Sequence, residues 1–188
     1  MADSPQLPQP TAEQRKIAAG QFERANQVIG TGNYDYGIQL LLTSCKLDPG
    51  NLIYRQALRR TEKRKYNNNQ RGSRFAFLTN GLRIAKVQAA LARHEYLQVL
   101  ELGEQVLTRN PWDVGTQLAM AQAADALGLL DLAVWTLEQA RQKNVQDLAL
   151  NRALARAVEL GYELANLDFG YRDIGRLLDE WQEKTQRA

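Results

Sequence analysis

The stretch GNYDYGIQLLLTSCKLDPGN, residues 32–51, has the pattern of one half of a repeated unit. Tyr34 follows a Gly-Asn turn, a largely apolar run of fourteen residues comes next, and Asp48 and Pro49 close it. A turn signal before the run and a proline after it predict one helix with a defined start and end. If this helix belongs to a repeat, stretches with the same spacing must lie elsewhere in the chain.

Two later stretches carry the same pattern: RHEYLQVLELGEQVLTRNPWD at residues 93–113 and LGLLDLAVWTLEQARQKNVQD at residues 127–147. These two are 34 residues apart, and the first and second copies are 62 apart, which is one unit plus a 28-residue insertion. The matching positions in the three copies are Tyr34, Gly37 and Pro49, then Tyr96, Val99 and Pro111, then Leu130, Ala133 and Val145. The chain therefore contains three related units.

A period of 34 residues with helix–turn–helix patterning resembles the tetratricopeptide repeat family, and the resemblance covers about residues 11–163. The Gly-Asn-Tyr turn, the small residue Gly37 and the closing Asp-Pro match the family's motif in the first copy. The small residue of the family's first helix matches Ala25 and Ala121, whereas Val87 departs from it in the second copy. The resemblance implies an all-α solenoid of helical hairpins, with about three repeats, a partial repeat and a C-terminal capping helix.

Hydrophobic periodicity predicts a similar architecture without the family. In WDVGTQLAMAQAADALG the apolar side chains Leu118, Ala121, Ala124 and Leu127 fall on one helical stripe. Small residues on that stripe allow a second helix to approach closely. Neither helix of such a pair can bury its stripe alone, so stacked pairs are expected to share a core.

The repeat pattern also divides the chain into segments. Residues 1–11 are proline-rich and expected to be flexible, and residues 12–188 are expected to form the repeat domain. The helix-start pattern TAEQRK, residues 11–16, lies at this boundary. The insertion, residues 52–79, combines a helical stretch, LIYRQALRRTEKRKY, with a loop-like stretch, NNNQRGSR. The capping helix is expected at about residues 167–186.

Residue types that serve catalysis and metal binding are scarce in this chain. One histidine, His94, and one cysteine, Cys45, exclude zinc sites built from their usual groupings. Cys45 lies in an apolar helical stretch, where a free cysteine is usually an inert core residue, and the sequence contains no Gly-rich phosphate loop. We therefore expect a protein that is not an enzyme and has no metal or cofactor.

The sequence also favours a compartment. The longest stretch free of charged residues, 114–124, has eleven residues, whereas a membrane-spanning helix needs about 20 apolar ones. The N-terminus lacks the basic start and apolar core of a secretory signal. A single cysteine cannot form an intramolecular disulfide, which fits a reducing environment. We expect a cytoplasmic protein without membrane insertion.

The first candidate binding surface is a concave groove implied by the family resemblance. In that family the first helices line the inner face, and the ninth position of each repeat often contacts the backbone of a bound peptide. Those positions hold Asn26, Gln88, Gln122 and Arg156. Side-chain amides can donate and accept at once, which suits an extended main chain. The alternative is that these residues are only the polar face of solvated helices.

The neighbouring inner positions hold Ala19, Phe22, Ile84 and Leu118. The family's clamp for a C-terminal carboxylate needs basic residues there, so this chain does not match it. An extended partner segment with some apolar side chains fits better.

The second candidate surface follows from an uneven distribution of charge, because the whole chain carries only +3. Residues 55–93 contain eleven Lys or Arg and one acid, net +10, while the chain from His94 onward contains nine Lys or Arg and fifteen acids, net −6. The candidate patch for an anionic partner consists of Arg55, Arg59, Arg60, Lys63, Arg64, Lys65, Arg71 and Arg74. The aromatic residues Tyr66, Phe75 and Phe77 lie among them.

Three interpretations of this basic patch stay open. It can be a solvated face or pair with the acidic C-terminal half, it can bind an acidic protein, or it can bind nucleic acid through phosphates and stacked bases. The sequence as a whole favours a non-catalytic scaffold or adaptor that binds a partner segment in the groove, alone or as a subunit of a larger assembly. The alternative function is an RNA- or DNA-binding module that uses residues 55–74.

Overall fold

The computed structural model of the protein describes residues 7–167, apart from the side chains of residues 77–79 and 164–167. Within that range the chain forms eight α-helices and no β-strand, so the predicted all-α class is confirmed. The helices are α1 Ala12–Gly30, α2 Tyr34–Leu47, α3 Leu52–Lys65, α4 Ala76–Ala92, α5 Tyr96–Leu107, α6 Val114–Ala126, α7 Leu130–Arg141 and α8 Leu148–Leu167.

The helix starts follow from capping side chains. Thr11 Oγ1 accepts a hydrogen bond from the Gln14 backbone N–H at 3.1 Å, and Gln14 Oε1 accepts one from the Thr11 N–H at 2.8 Å. This reciprocal pair satisfies two N–H groups that a helix end leaves unpaired. Asn33 caps α2 through a single bond, because its Oδ1 accepts from the Tyr36 N–H at 3.3 Å, and Gly32 before it has φ +85°, a conformation that glycine adopts without strain. The predicted starts of α1 and α2 are therefore confirmed.

Successive helices pack on one another in two runs. In the first, α1 packs on α2 and α2 on α3; in the second, α4 packs on α5 and each later helix on the one before it, as far as α8. Helix α4 also contacts α6, and α2 contacts α5 across the insertion. The two runs are thus joined through α2 and α5.

The repeated small or branched positions lie at the helix–helix contacts. Gly37, Val99 and Ala133 are buried, and a side chain at Gly37 would collide with Ile29 of α1. The small position of the preceding helix is buried as well, at Ala25, Val87 and Ala121. Equivalent positions therefore perform the same packing task in each copy.

The insertion behaves partly as predicted. Its helical stretch is α3, and its loop stretch, residues 66–75, contains no helix. Asn67, Asn68, Gln70 and Gly72 all have positive φ, and a side chain at Gly72 would collide with the Arg109 carbonyl. This loop is therefore fixed against the α5–α6 connection.

The two predicted terminal segments lie mostly outside the described residues. Residues 1–6 and 168–188 fall outside them, which includes all but the first residue of the predicted capping helix at 167–186. Within the described N-terminal segment, Leu7 packs against the core formed by α4 to α7. No helix in the described range is long and apolar enough to cross a membrane.

We predict that Ala133→Glu strongly destabilises the protein. Ala133 is only 1% exposed, so the new carboxylate loses most of its hydration, at a cost of roughly 3 kcal/mol or more in the free energy of unfolding. Urea unfolding followed by circular dichroism measures this change. Ala89→Glu, on the exposed face of α4, is the matched control and should change stability by less than about 0.5 kcal/mol. Equal midpoints for the two variants would mean that Ala133 does not lie at the helix contact.

Candidate functional site

The four predicted groove residues are all exposed, and they come from four different helices: Asn26 from α1, Gln88 from α4, Gln122 from α6 and Arg156 from α8. Gln122 and Arg156 line one cleft of about 640 Å³ between α6 and α8. Neither Asn26 nor Gln88 lines that cleft. The structure therefore brings together two of the four residues, at the C-terminal end of the described array.

This α6–α8 cleft has an apolar floor. Helix α7 packs against both α6 and α8 and contributes Ala133 and Leu137 to this floor. Helix α6 contributes Ala121, and α8 contributes Ala157. All four side chains are almost fully buried. Leu160 stands at the edge and is partly exposed. A small apolar side chain of a partner would lose contact with water here, which favours binding.

The walls of the α6–α8 cleft carry both signs of charge. Arg152, Arg156, Glu159 and Glu163 lie at successive steps of four, three and four along α8, which places them on one side of the helix. Asp125 adds a carboxylate from α6. The two arginines come first along α8 and the two glutamates later, so the cleft has a basic and an acidic end. Such a surface can orient a bound segment by its charges.

The structure corrects the predicted basic patch at two of its eight positions. Arg55 and Arg59 are only 2% and 3% exposed, so the prediction that they belong to a surface patch is wrong. Arg55 Nη1 donates to Glu104 Oε1 and Arg59 Nη2 donates to Glu104 Oε2, each at 2.7 Å. Arg59 also pairs with Glu62 on its own helix. We call Arg55, Arg59, Glu62 and Glu104 the charge cluster.

The burial of the charge cluster has a simple cause. Arg55 and Arg59 are four residues apart, so they share the side of α3 that also buries Leu58. Glu104 of α5 lies among the buried residues Leu100 and Leu107, one helical turn away on either side. The two arginines and Glu104 are therefore buried side by side, and their opposite charges offset the cost of removing each of them from water. Pairing with the acidic C-terminal half, one of the predicted alternatives, is therefore observed for these two arginines.

The remaining donors of Arg55 also have partners. Its Nε and Nη2 donate to the Pro49 carbonyl at 3.3 and 3.1 Å. Glu62 is less well satisfied, because its Oε1 has no hydrogen-bond partner within the described structure. Burial raises the pKa of Glu62 to about 8, with Arg59 opposing the shift and the Glu104 carboxylate adding to it. Glu62 therefore holds a proton at neutral pH more readily than an exposed glutamate.

The other six predicted patch residues stay at or near the surface. Lys63 donates to Gln139 and Gln142 of the α7 region at 2.8 Å each, and Lys65 pairs with Asp35. Arg64 lies over the Tyr34 ring at 5.8 Å. The exposed members are Arg60, Arg64, Arg71 and Arg74. The patch is therefore smaller than the sequence suggested and divided between α3 and the loop at residues 66–75.

The single cysteine and histidine have structural surroundings. Cys45 is buried in α2, and burial raises the pKa of its thiol to about 12, so it stays protonated at neutral pH. His94 lies in the α4–α5 turn with φ +60°, and its Nδ1 is 2.8 Å from the Tyr96 hydroxyl. In the part of the chain that the structure describes, no three His, Cys, Asp or Glu side chains form a metal-binding group.

Sequence reasoning missed Glu104, although a signal for it was present. Its position on the apolar stripe of α5, three residues from Leu107 and four from Leu100, marks it as a buried carboxylate. A buried carboxylate predicts a cationic partner, although the sequence alone does not show which basic residue supplies it.

Comparison of the chain with models of known protein families, with curated proteins and with solved structures finds no match. The structure itself is all-α and repeat-like, and it has a cleft of mixed charge at the C-terminal end of the described helices.

We predict that Glu104→Gln costs about 3–5 kcal/mol of stability, because it leaves two buried arginines without their shared counter-charge. Chemical denaturation at pH 7 measures the change. Glu101→Gln, one turn earlier on α5, is the matched control: its pair with Lys46 is exposed and is worth less than about 1 kcal/mol. A loss no larger than that of the control would show that the charge cluster is not buried.

We predict that Glu62 makes the protein less stable as the pH rises. Between its ordinary pKa of 4.5 and its folded value of about 8, the folded state holds a proton that the unfolded chain releases. The unfolding free energy should therefore fall as the pH rises through this window and level off above pH 8.

Urea unfolding of the wild type and of Glu62→Gln from pH 5 to pH 9 tests this, because the glutamine cannot release the proton. The wild-type curve should fall more steeply than that of the variant. Parallel curves would contradict the raised pKa, since all other titrating groups are shared by the two proteins.

Proposed function

We propose that the protein is a non-catalytic scaffold or adaptor of the tetratricopeptide repeat type, which binds a segment of a partner protein in the α6–α8 cleft. One observation carries this proposal: Gln122 and Arg156, selected from repeat register alone, line the same apolar-floored cleft. The 34-residue period and the burial of equivalent small positions support the repeat assignment. In this proposal the protein works in the cytoplasm, where its single buried cysteine stays reduced.

The chemistry of the cleft suits an extended peptide segment. Gln122 can donate to a backbone carbonyl and accept from a backbone N–H, which an extended strand offers along its whole length. The floor at Ala133 and Leu137 accepts an apolar side chain. Arg156 and Glu159 then select for acidic and basic side chains on either side of it. The volume of about 640 Å³ lies within the range of sites that enclose a small ligand or a few side chains.

We predict that Gln122→Ala combined with Arg156→Ala removes the partner while leaving the fold intact. Both residues are exposed, so their truncation should leave the melting temperature nearly unchanged. The measurement is affinity capture from a native lysate, with retained proteins quantified by mass spectrometry. A partner that contacts both side chains should be retained at least tenfold less, corresponding to about 1.4 kcal/mol.

The matched control is Gln98→Ala combined with Lys16→Ala, which also deletes one amide and one positive charge from exposed helix positions outside the cleft. The control should retain the same proteins as the wild type. If the cleft variant also retains every protein in full, the partner does not bind in the α6–α8 cleft and the proposal is wrong.

A further inference from the structure

A second concave site lies away from the α6–α8 cleft, where the loop at residues 66–75 meets α4 and the α5–α6 connection. It has a volume of about 920 Å³. We call it the loop hollow and define it by five of its lining residues, which come from the three segments: Asn69, Arg71, Arg74, Asn80 and Asp113.

The loop that forms one wall of the hollow is held in a single shape. Asn69 Oδ1 accepts from the backbone N–H groups of Arg71 and Gly72 at 2.9 and 2.8 Å, and its Nδ2 donates to the Gly72 carbonyl. The Ser73 N–H donates to the Arg109 carbonyl at 2.8 Å. Asn67, Asn68 and Gln70 in this loop adopt positive φ, a conformation that asparagine tolerates better than most residues.

The interior of the hollow contains an acceptor without a donor. Asn80 is only 2% exposed, and its Nδ2 donates to the Val106 carbonyl at 3.1 Å. That bond fixes the orientation of the amide and leaves Oδ1 buried with no hydrogen-bond partner among the described residues. Asp113 adds a carboxylate, of which Oδ1 accepts from the Thr116 N–H. A ligand group that donates hydrogen bonds would therefore complement the acceptors of the interior, Asn80 Oδ1 and the Asp113 carboxylate.

The rim of the hollow has the opposite character. Arg71 and Arg74 are exposed guanidinium groups on the loop. Helix α4 starts beside them without a side-chain cap hydrogen bond and without an acidic residue in its first turn, and the positive end of a helix attracts anions. Phe75 lies between the lining residues Arg74 and Ala76, is not itself one of them, and is 65% exposed. At this edge an anionic group can pair with the two arginines, and a flat ring can stack on Phe75.

We propose that the loop hollow binds one nucleotide unit of a single-stranded nucleic acid. The phosphate lies between Arg71 and Arg74, the base stacks on Phe75, and an amino or imino N–H of the base donates to Asn80 Oδ1. A nucleotide combines these three features within one unit, whereas an acidic side chain offers only the charge. The site is independent of the α6–α8 cleft, because none of these residues lines it.

Fluorescence anisotropy with a labelled twelve-nucleotide RNA of mixed sequence tests the proposal on the full chain. Arg71→Ala combined with Arg74→Ala should weaken binding at least tenfold and make the log–log salt slope shallower by about 1.4, or roughly 0.7 for each lost phosphate contact. Arg60→Ala combined with Arg64→Ala removes the same charge from exposed positions of α3 and should weaken binding less than threefold. Phe75→Ala, at a side chain that is 65% exposed, should weaken binding about fivefold or more.

Competition identifies the source of the nucleotide. Displacement of the labelled RNA by millimolar mononucleotides assigns the site to free nucleotides, and displacement only by unlabelled RNA or single-stranded DNA assigns it to the polymer. The proposal is overturned if the wild type does not bind the RNA at low salt, or if the two double-arginine variants lose affinity equally. It is also overturned if polyglutamate competes as well as RNA, because the site would then recognise charge alone.

Discussion

The shared pairing of Arg55 and Arg59 with Glu104 is the constraint that ties α3, which packs on α2, to α5. Each arginine would be strongly unfavourable in the interior by itself, and so would the glutamate. Because the three groups satisfy one another only when α3 lies against α5, the pairing specifies one docking position for this helix. Replacing such a cluster by apolar residues can leave stability unchanged. Its contribution here is therefore to the position of α3 as much as to the stability of the protein.

Further contacts extend that docking along α3 and beyond it. The Phe22 ring of α1 lies 5.0 Å from the Tyr54 ring near the start of α3. Tyr66 directly follows α3, and its hydroxyl donates to the Thr108 carbonyl, which directly follows α5. Lys63 reaches Gln139 of α7. The insertion therefore joins the first helical pair to the later ones and sets the loop hollow against the α5–α6 connection. The proposed peptide site in the α6–α8 cleft lies on a different part of the array.

The sequence predicted the features that depend on local spacing. The N-cap at Thr11 and the helix start at Tyr34 follow from local turn signals, and the buried contacts at Gly37 and Ala133 follow from the repeat period. Features that depend on distant partners could not be predicted in this way. Arg55 and Glu104 are 49 residues apart, and counting charge along α3 gave no sign that its inner side was neutralised. The loop hollow likewise exists only once three separate segments meet.

Hydrogen exchange of the native protein tests most directly whether α3 belongs to the core. Amides of α3 around Leu58 should show opening free energies within about 1 kcal/mol of those of α5 around Leu100, because breaking the shared charge cluster exposes both helices together. If α3 were instead a solvated basic appendage, its amides would exchange at nearly the rate of an unfolded peptide while α5 stayed protected. That result would contradict the docking of α3 on α5 and the burial of the charge cluster between them.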